Sequence, residues 1–109
     1  MTMNSKYAAM EPPRAEIDAL DGPAVIEFGS PWCGYCRRAQ PLLDLAFVDH
    51  PRVRHIKIED GSGRPLGRSF GVRLWPTLVF LLDGKEVARL SRPTTASAIE
   101  QALAQIDAA

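Results

Sequence analysis

A run of apolar and β-branched residues, Thr77 to Leu82, stops at Asp83-Gly84, and a second run follows from Glu86 to Leu90. Asp-Gly readily supplies the positive φ angles of a two-residue turn, so the two runs are expected to fold back on each other as an antiparallel hairpin. This constrains the fold most, because any sheet the chain builds must contain an antiparallel pair near its C-terminal end. Upstream, Ala24 to Phe28 reads as a buried strand with one acid, Glu27, set into it, and Val53, His55, Ile56 and Ile58 suggest another. Between them, from Gly34 through Val48, Ala39, Leu42, Leu43, Ala46 and Phe47 recur at helical spacing, with Pro41 expected to kink the helix.

Shorter signals complete the order. Pro12-Pro13 favours a helix start, and Ala15, Ile17, Ala19 and Leu20 form a short amphipathic segment closed by Asp21-Gly22-Pro23. Gly61-Ser62-Gly63 makes a loop, Pro65 to Phe70 a short helix, and Thr94 or Thr95 caps a last helix with Ile99, Ala102, Leu103 and Ile106 on one face. Residues 1–13 lack a clear period, apart from a weak strand expected near Tyr7 to Met10, and are treated as a lead-in to a domain over residues 14–109. An early βαβ unit followed by a hairpin predicts an α/β fold with a central mixed sheet and helices on both faces.

The 109 residues suit one domain, and 13 basic against 13 acidic side chains give no electrostatic reason to expect nucleic acid or an anionic membrane surface as a partner. No stretch approaches the roughly 20 apolar residues of a membrane span, and the first residues lack the apolar run of a secretory signal. A monomer in the cytoplasm is therefore expected.

The chain has two cysteines, Cys33 and Cys36, three positions apart. In a reducing compartment such a pair is more often catalytic or metal-binding than a structural staple. If a helix begins at about Cys33, the sulfurs lie within one turn of each other, and the first meets unpaired backbone N–H groups that stabilise a thiolate. This makes Cys33 the expected nucleophile and Cys36 the more buried, resolving thiol. His50 and His55 extend the pattern to C-x₂-C-x₁₃-H-x₄-H, which satisfies a zinc-finger spacing rule. Against zinc, both histidines would have to project from one helix, whereas Pro51 follows His50 and the next residues read as a strand. No metal and no bound cofactor are expected.

Ile26-Glu27-Phe28, then Trp32-Cys33-Gly34-Tyr35-Cys36-Arg37, then Pro41, and later Trp75-Pro76-Thr77 before a hairpin strand, together resemble the motifs of the thioredoxin family in order, over roughly residues 14 to 107. The resemblance implies the thioredoxin fold and thiol–disulfide exchange through Cys33 and Cys36. It implies a cis bond before Pro76, which would lie beside the cysteines and present the Trp75 backbone as an edge for an extended substrate segment. The plainer reading of Pro76 is a strand-start proline. Glu27 matches the family's buried acid, which is usually aspartate. Desolvation disfavours the charged form of a buried carboxylate in general, so Glu27 is expected to exchange a proton with the resolving thiol. Its alternatives are to reach the strand end or to pair with a lysine such as Lys57.

The departures from the family pattern bear on substrate choice. Gly29 stands where the family has tryptophan, which predicts a lost packing surface near the active helix. Tyr35 replaces the middle proline. Gly34-Tyr35 resembles the pair in periplasmic disulfide isomerases, and a tyrosine there is also similar to glutaredoxins. Trp75 is bulky where a small aliphatic is common, and Ser91-Arg92 take the place of a Gly-Ala pair that lines the docking groove, so a narrower, more basic groove is expected. Trp32, Gly34, Tyr35, Trp75, Ser91 and Arg92 are the candidate substrate contacts. The leading expectation is a reductase of protein disulfides, restored by an external reductase. The alternatives are a binding or chaperone-like module using Trp32, Trp75 and the Pro76 edge, a disulfide isomerase, and glutathione-linked chemistry. Against the last, no Gly-Gly pair follows the hairpin as in glutaredoxins.

Overall fold

The computed structural model describes residues 6–107; the first five residues of the expected lead-in and the last two of the expected domain lie outside the described residues. The element order is α1 (Arg14–Asp18), β1 (Pro23–Gly29), α2 (Gly34–Phe47), β2 (Arg54–Glu59), α3 (Pro65–Ser69), β3 (Thr77–Leu82), β4 (Lys85–Ser91) and α4 (Ala96–Ile106). The strands form one sheet in the order β2-β1-β3-β4. β1 pairs with β2 in parallel and with β3 antiparallel, and β3 pairs antiparallel with β4, so the sheet is mixed.

The hairpin turn has the predicted chemistry. Asp83 and Gly84 have φ of 50° and 79°, the two positive values that a primed turn requires. Asp83 also ties the turn to the start of β1, its Oδ1 accepting from the Gly22 N–H at 2.8 Å. A Cβ on Gly84 would collide with the Asp18 carbonyl, so glycine is needed there for close approach as well as for φ.

Alternation along the strands divides the core into two layers. Val25, Leu78 and Phe80 point to one face, where Ala39, Leu43, Ala46 and Phe47 of α2 and Ile99, Ala102, Leu103 and Ile106 of α4 cover them. Ala24, Ile26, Phe28, Val79 and Leu81 point to the other, against Ile17, Leu66 and Phe70 from the α1 and α3 regions. The central position of β1 explains why it is buried on both sides and reads as a near-continuous apolar run.

Some boundaries differ from expectation. The strand near Tyr7 to Met10 does not form; a backbone bond from the Ala8 N–H to the Lys57 carbonyl, 2.8 Å, holds that segment against β2 instead. Helix α1 stops at Asp18, because Ala19 is its C-cap and the Leu20 N–H turns back to the Ile17 carbonyl. Val53 is buried in the core but precedes β2, and Phe70 caps α3 rather than continuing it. Helix α2 runs on through Pro41, and Thr95 is the residue that caps α4, accepting from the Ala98 N–H at 3.1 Å.

Candidate active site

After β1 the chain turns sharply through Ser30, Pro31 and Trp32. The Ser30 carbonyl accepts from the Cys33 N–H at 3.2 Å, and the Ser30 hydroxyl accepts from the Trp32 N–H at the same distance. This turn delivers Cys33 to the N-cap of α2 in extended backbone, where its Sγ accepts from the Cys36 N–H at 3.2 Å. A sulfur thus occupies the place of a capping oxygen, among the otherwise unpaired N–H groups of the first turn. That arrangement places the outer sulfur at the donor end of the helix, facing the Cys36 N–H.

The inner cysteine is in a different setting. Cys36 is 2% exposed, whereas Cys33 is partly open to solvent. Burial first, and then its hydrogen bond with Cys33, push the Cys36 thiol up to about 12. Cys36 therefore holds its proton at neutral pH.

The Trp75–Pro76 bond is cis, and the Trp75 carbonyl lies 3.8 Å from Cys33 Sγ. The structure thus brings Cys33, Cys36, Trp75 and Pro76 to one end of the sheet, where α2 begins and β3 begins. Asp60 fixes the Trp75 ring by accepting from its Nε1–H at 2.9 Å, and the place of Gly67 against that carboxylate leaves no room for a side chain. The Arg92 N–H donates to the Pro76 carbonyl at 2.8 Å, closing the β3–β4 end, and the Ser91 hydroxyl is engaged with Thr77 Oγ1 at 3.0 Å. Trp32 is 84% exposed and Tyr35 48%, so both rings are accessible to a partner. Gly34 sits in the first turn of α2 between the two thiols.

Glu27 is fully buried, and it neither reaches the strand end nor depends on one lysine. His55 Nε2 lies 2.9 Å from its Oε1, Gln40 Nε2 donates to its Oε2 at 2.9 Å, and Lys57 Nζ stands 3.9 Å from Oε2. Gln40 also donates to the Cys36 carbonyl at 2.8 Å, so Glu27 reaches the resolving cysteine through that amide. The histidines that completed the zinc spacing are engaged elsewhere: His55 with Glu27, and His50 with Asp107 at 2.8 Å.

Tyr7 corrects the expectation at Gly29. A Cβ there would lie 2.7 Å from Cys36 Sγ and 3.3 Å from the Tyr7 hydroxyl, so the ground beside the active helix is covered from the N-terminal segment. Burial, and then the nearby Cys36, hold the Tyr7 phenol well above its usual range, keeping it a hydrogen-bond donor. Lys57 Nζ packs 4.8 Å from the Tyr7 ring centre, and both line a cavity of about 350 Å³ that Cys36 borders. Sequence reading missed His55, Gln40, Tyr7 and Asp60 as site residues. The available signals were Gln40 one helical turn after Cys36 and His55 two positions before Lys57 on one strand.

A dithiol at the start of the helix that follows a central strand, set against a cis prolyl bond opening a hairpin strand, defines a thiol–disulfide oxidoreductase of the thioredoxin fold. The chain belongs to the thioredoxin family, whose sequence profile, described as Thioredoxin, matches residues 9–105. Reduced thioredoxin 2 from Pseudomonas aeruginosa PAO1 is 55% identical and superposes with a TM-score of 0.86, covering 97% of this chain and 98% of that one. Thioredoxin of Chlamydia muridarum is 39% identical over 69 residues, 62% of this chain and 67% of that protein. Thioredoxin of Porphyra purpurea is 26% identical over 91 residues, 83% of this chain and 85% of that protein. Its homologues are protein-disulfide reductases, and thioredoxins act on disulfide substrates and are recycled by a reductase. Among the described residues no helix is long and apolar enough to cross a membrane.

Proposed function

We propose that Cys33 is the attacking thiolate and Cys36 the resolving thiol in reduction of protein disulfides. The observation that carries this reading is the Cys36 N–H directed at Cys33 Sγ, 3.2 Å away, with Cys36 itself buried. Cys33 Sγ attacks one sulfur of the substrate disulfide, forms a mixed disulfide and expels the other substrate sulfur as a thiolate. Cys36, giving up its proton, then attacks Cys33 Sγ, which leaves a Cys33–Cys36 disulfide and releases the second substrate thiolate. Two electrons pass to the substrate, and an external reductase returns them.

Glu27, held by His55, Gln40 and Lys57, is the acceptor for the Cys36 proton, relayed by way of Gln40 and Lys57, which line the cavity that Cys36 borders. The cis Pro76 and the Trp75 backbone form the edge on which an extended substrate lies, with Trp32, Gly34, Tyr35, Ser91 and Arg92 around it. The working location is the cytoplasm, where the thiol poise favours reduction.

Insulin-disulfide reduction tests the assignment. Cys33→Ser abolishes turnover, whereas Cys36→Ser accumulates trapped mixed disulfides that a non-reducing gel resolves. Full activity in Cys33→Ser refutes the roles. Intact partner binding by the double serine variant, with negligible wild-type turnover, would instead make the chain a binding module.

A further inference from the structure

Beside the dithiol, Tyr35 carries a guanidinium on its ring from each of two elements. Arg38, one turn along α2, lies 4.6 Å from the ring centre, and Arg92, just after β4, lies 4.0 Å from it. Together with Ala39, Leu42, Pro93 and Thr94 they line a cleft of about 480 Å³ that contains no carboxylate. Among the described residues neither arginine pairs with an acid; Arg92 Nε donates to the Trp75 carbonyl at 3.0 Å, the same oxygen that lies 3.8 Å from Cys33 Sγ. One guanidinium is therefore a single carbonyl away from the attacking sulfur, in a chain whose net charge is zero.

Arg92 is also in a backbone state that disfavours it. Its φ is 51°, a left-handed conformation that glycine adopts freely and that arginine adopts only at a cost. An arginine at a left-handed position beside the dithiol points to use of its side chain.

We infer that this cleft recognises protein substrates by an aspartate or glutamate close to the disulfide being reduced. The inference rests on the dithiol reading above and names the substrate class it serves. An exposed ion pair is usually weak because two flexible side chains must be ordered. Here contact with the Tyr35 ring already restrains both guanidinium groups at the cleft they line, so less ordering is required when a carboxylate enters it. With the substrate sulfur at Cys33 and its backbone along Trp75, the acid falls within about three residues of the cysteine, about 10 Å of extended chain.

The test is steady-state reduction of three disulfide peptides of one length, carrying Glu, Lys or a neutral residue at the flanking positions, by the wild type and an Arg38→Ala/Arg92→Gly variant. Glycine suits the left-handed position, and Arg38→Ala alone leaves the bond to the Trp75 carbonyl in place. The wild type is expected to favour the acidic over the basic peptide by about tenfold in kcat/KM, mostly through KM. That ratio falls toward one in the double variant, and in the wild type between about 0.01 M and 1 M salt as the screening length shrinks from about 30 Å to 3 Å. Equal use of acidic and basic peptides, with the neutral peptide turned over normally, overturns the inference and leaves the dithiol reading standing. No turnover of any peptide overturns both. A preference that survives in the double variant lies elsewhere on the surface and overturns the assignment. Discrimination confined to glutathione mixed disulfides assigns the cleft to the glutathione carboxylates and overturns the protein-substrate reading.

Discussion

Two cysteines one helical turn apart differ here chiefly in what surrounds their sulfurs. Cys33 Sγ faces the backbone N–H of Cys36 and the solvent, while Cys36 lies under Tyr7 against Gly29 and keeps its proton up to about 12. In the reduced protein, iodoacetamide at pH 8 is expected to modify Cys33 alone; mass spectrometry finding label on Cys36 in the native state would contradict the assignment. The same shift links to stability. A thiol raised from 9.0 to about 12 on folding contributes stability that is intact below pH 9 and is lost as pH rises from 9 toward 12, because the unfolded chain ionises first. At pH 10 the reduced wild type should have lost about 1 kcal/mol more, relative to pH 8, than Cys36→Ala does, read from urea midpoints. The cysteine spacing was legible in the sequence because one helical turn fixes it locally. The Tyr7 cover was not, since an aperiodic segment gives no sign of which residue it will pack against.

At the scale of elements, the register of β1 against β2 builds the polar cluster beneath the active helix. Parallel pairing sets Val25 opposite His55 and Glu27 opposite Lys57, so these two basic side chains of β2 arrive on the face that Glu27 shares, and α2 adds Gln40. Every buried side-chain polar atom among the described residues has a partner, which is the condition for tolerating a carboxylate there. His55→Phe is expected to destabilise by about 1–3 kcal/mol, because Glu27 Oε1 is left unpaired while Oε2 keeps Gln40. His55→Gln, which can still donate, should lose less; equal loss in the two variants, measured by urea unfolding, would mean that packing against Phe47 rather than the hydrogen bond matters. A strand's existence follows from its own residues, as Ala24 to Phe28 illustrates, and a hairpin follows from Asp83-Gly84. Which residue of a parallel neighbour stands opposite Glu27 depends on a crossover helix and two loops, and local patterning carries no such information. His55 therefore read as a metal candidate by spacing and turned out to be a carboxylate partner by register.

Across the whole molecule, the two core layers leave the active end open and close the opposite end by polar ties. The C-cap of α4, Asp107, reaches back to the segment between α2 and β2, where its Oδ2 meets His50 Nδ1 at 2.8 Å and its Oδ1 accepts from Arg52 Nη2 at 3.1 Å. These ties fasten the last helix to the turn that leads into an edge strand, far along the chain from either cysteine. The bond with His50 first, and then that with Arg52, hold the Asp107 carboxyl below the usual carboxylate range. A carboxyl lowered on folding contributes stability that is present above its unfolded value, about 3.9, and is lost as pH falls through its lower folded value. Asp107→Asn removes the charge at every pH, so it should lower the melting temperature by about 2–5 °C at pH 7, a range that allows for the exposure of Arg52. The gap between variant and wild type should narrow steadily below pH 4 as the wild-type carboxyl takes up its proton. A gap that stays constant down to pH 2 would mean that the side chain matters for its shape rather than its charge.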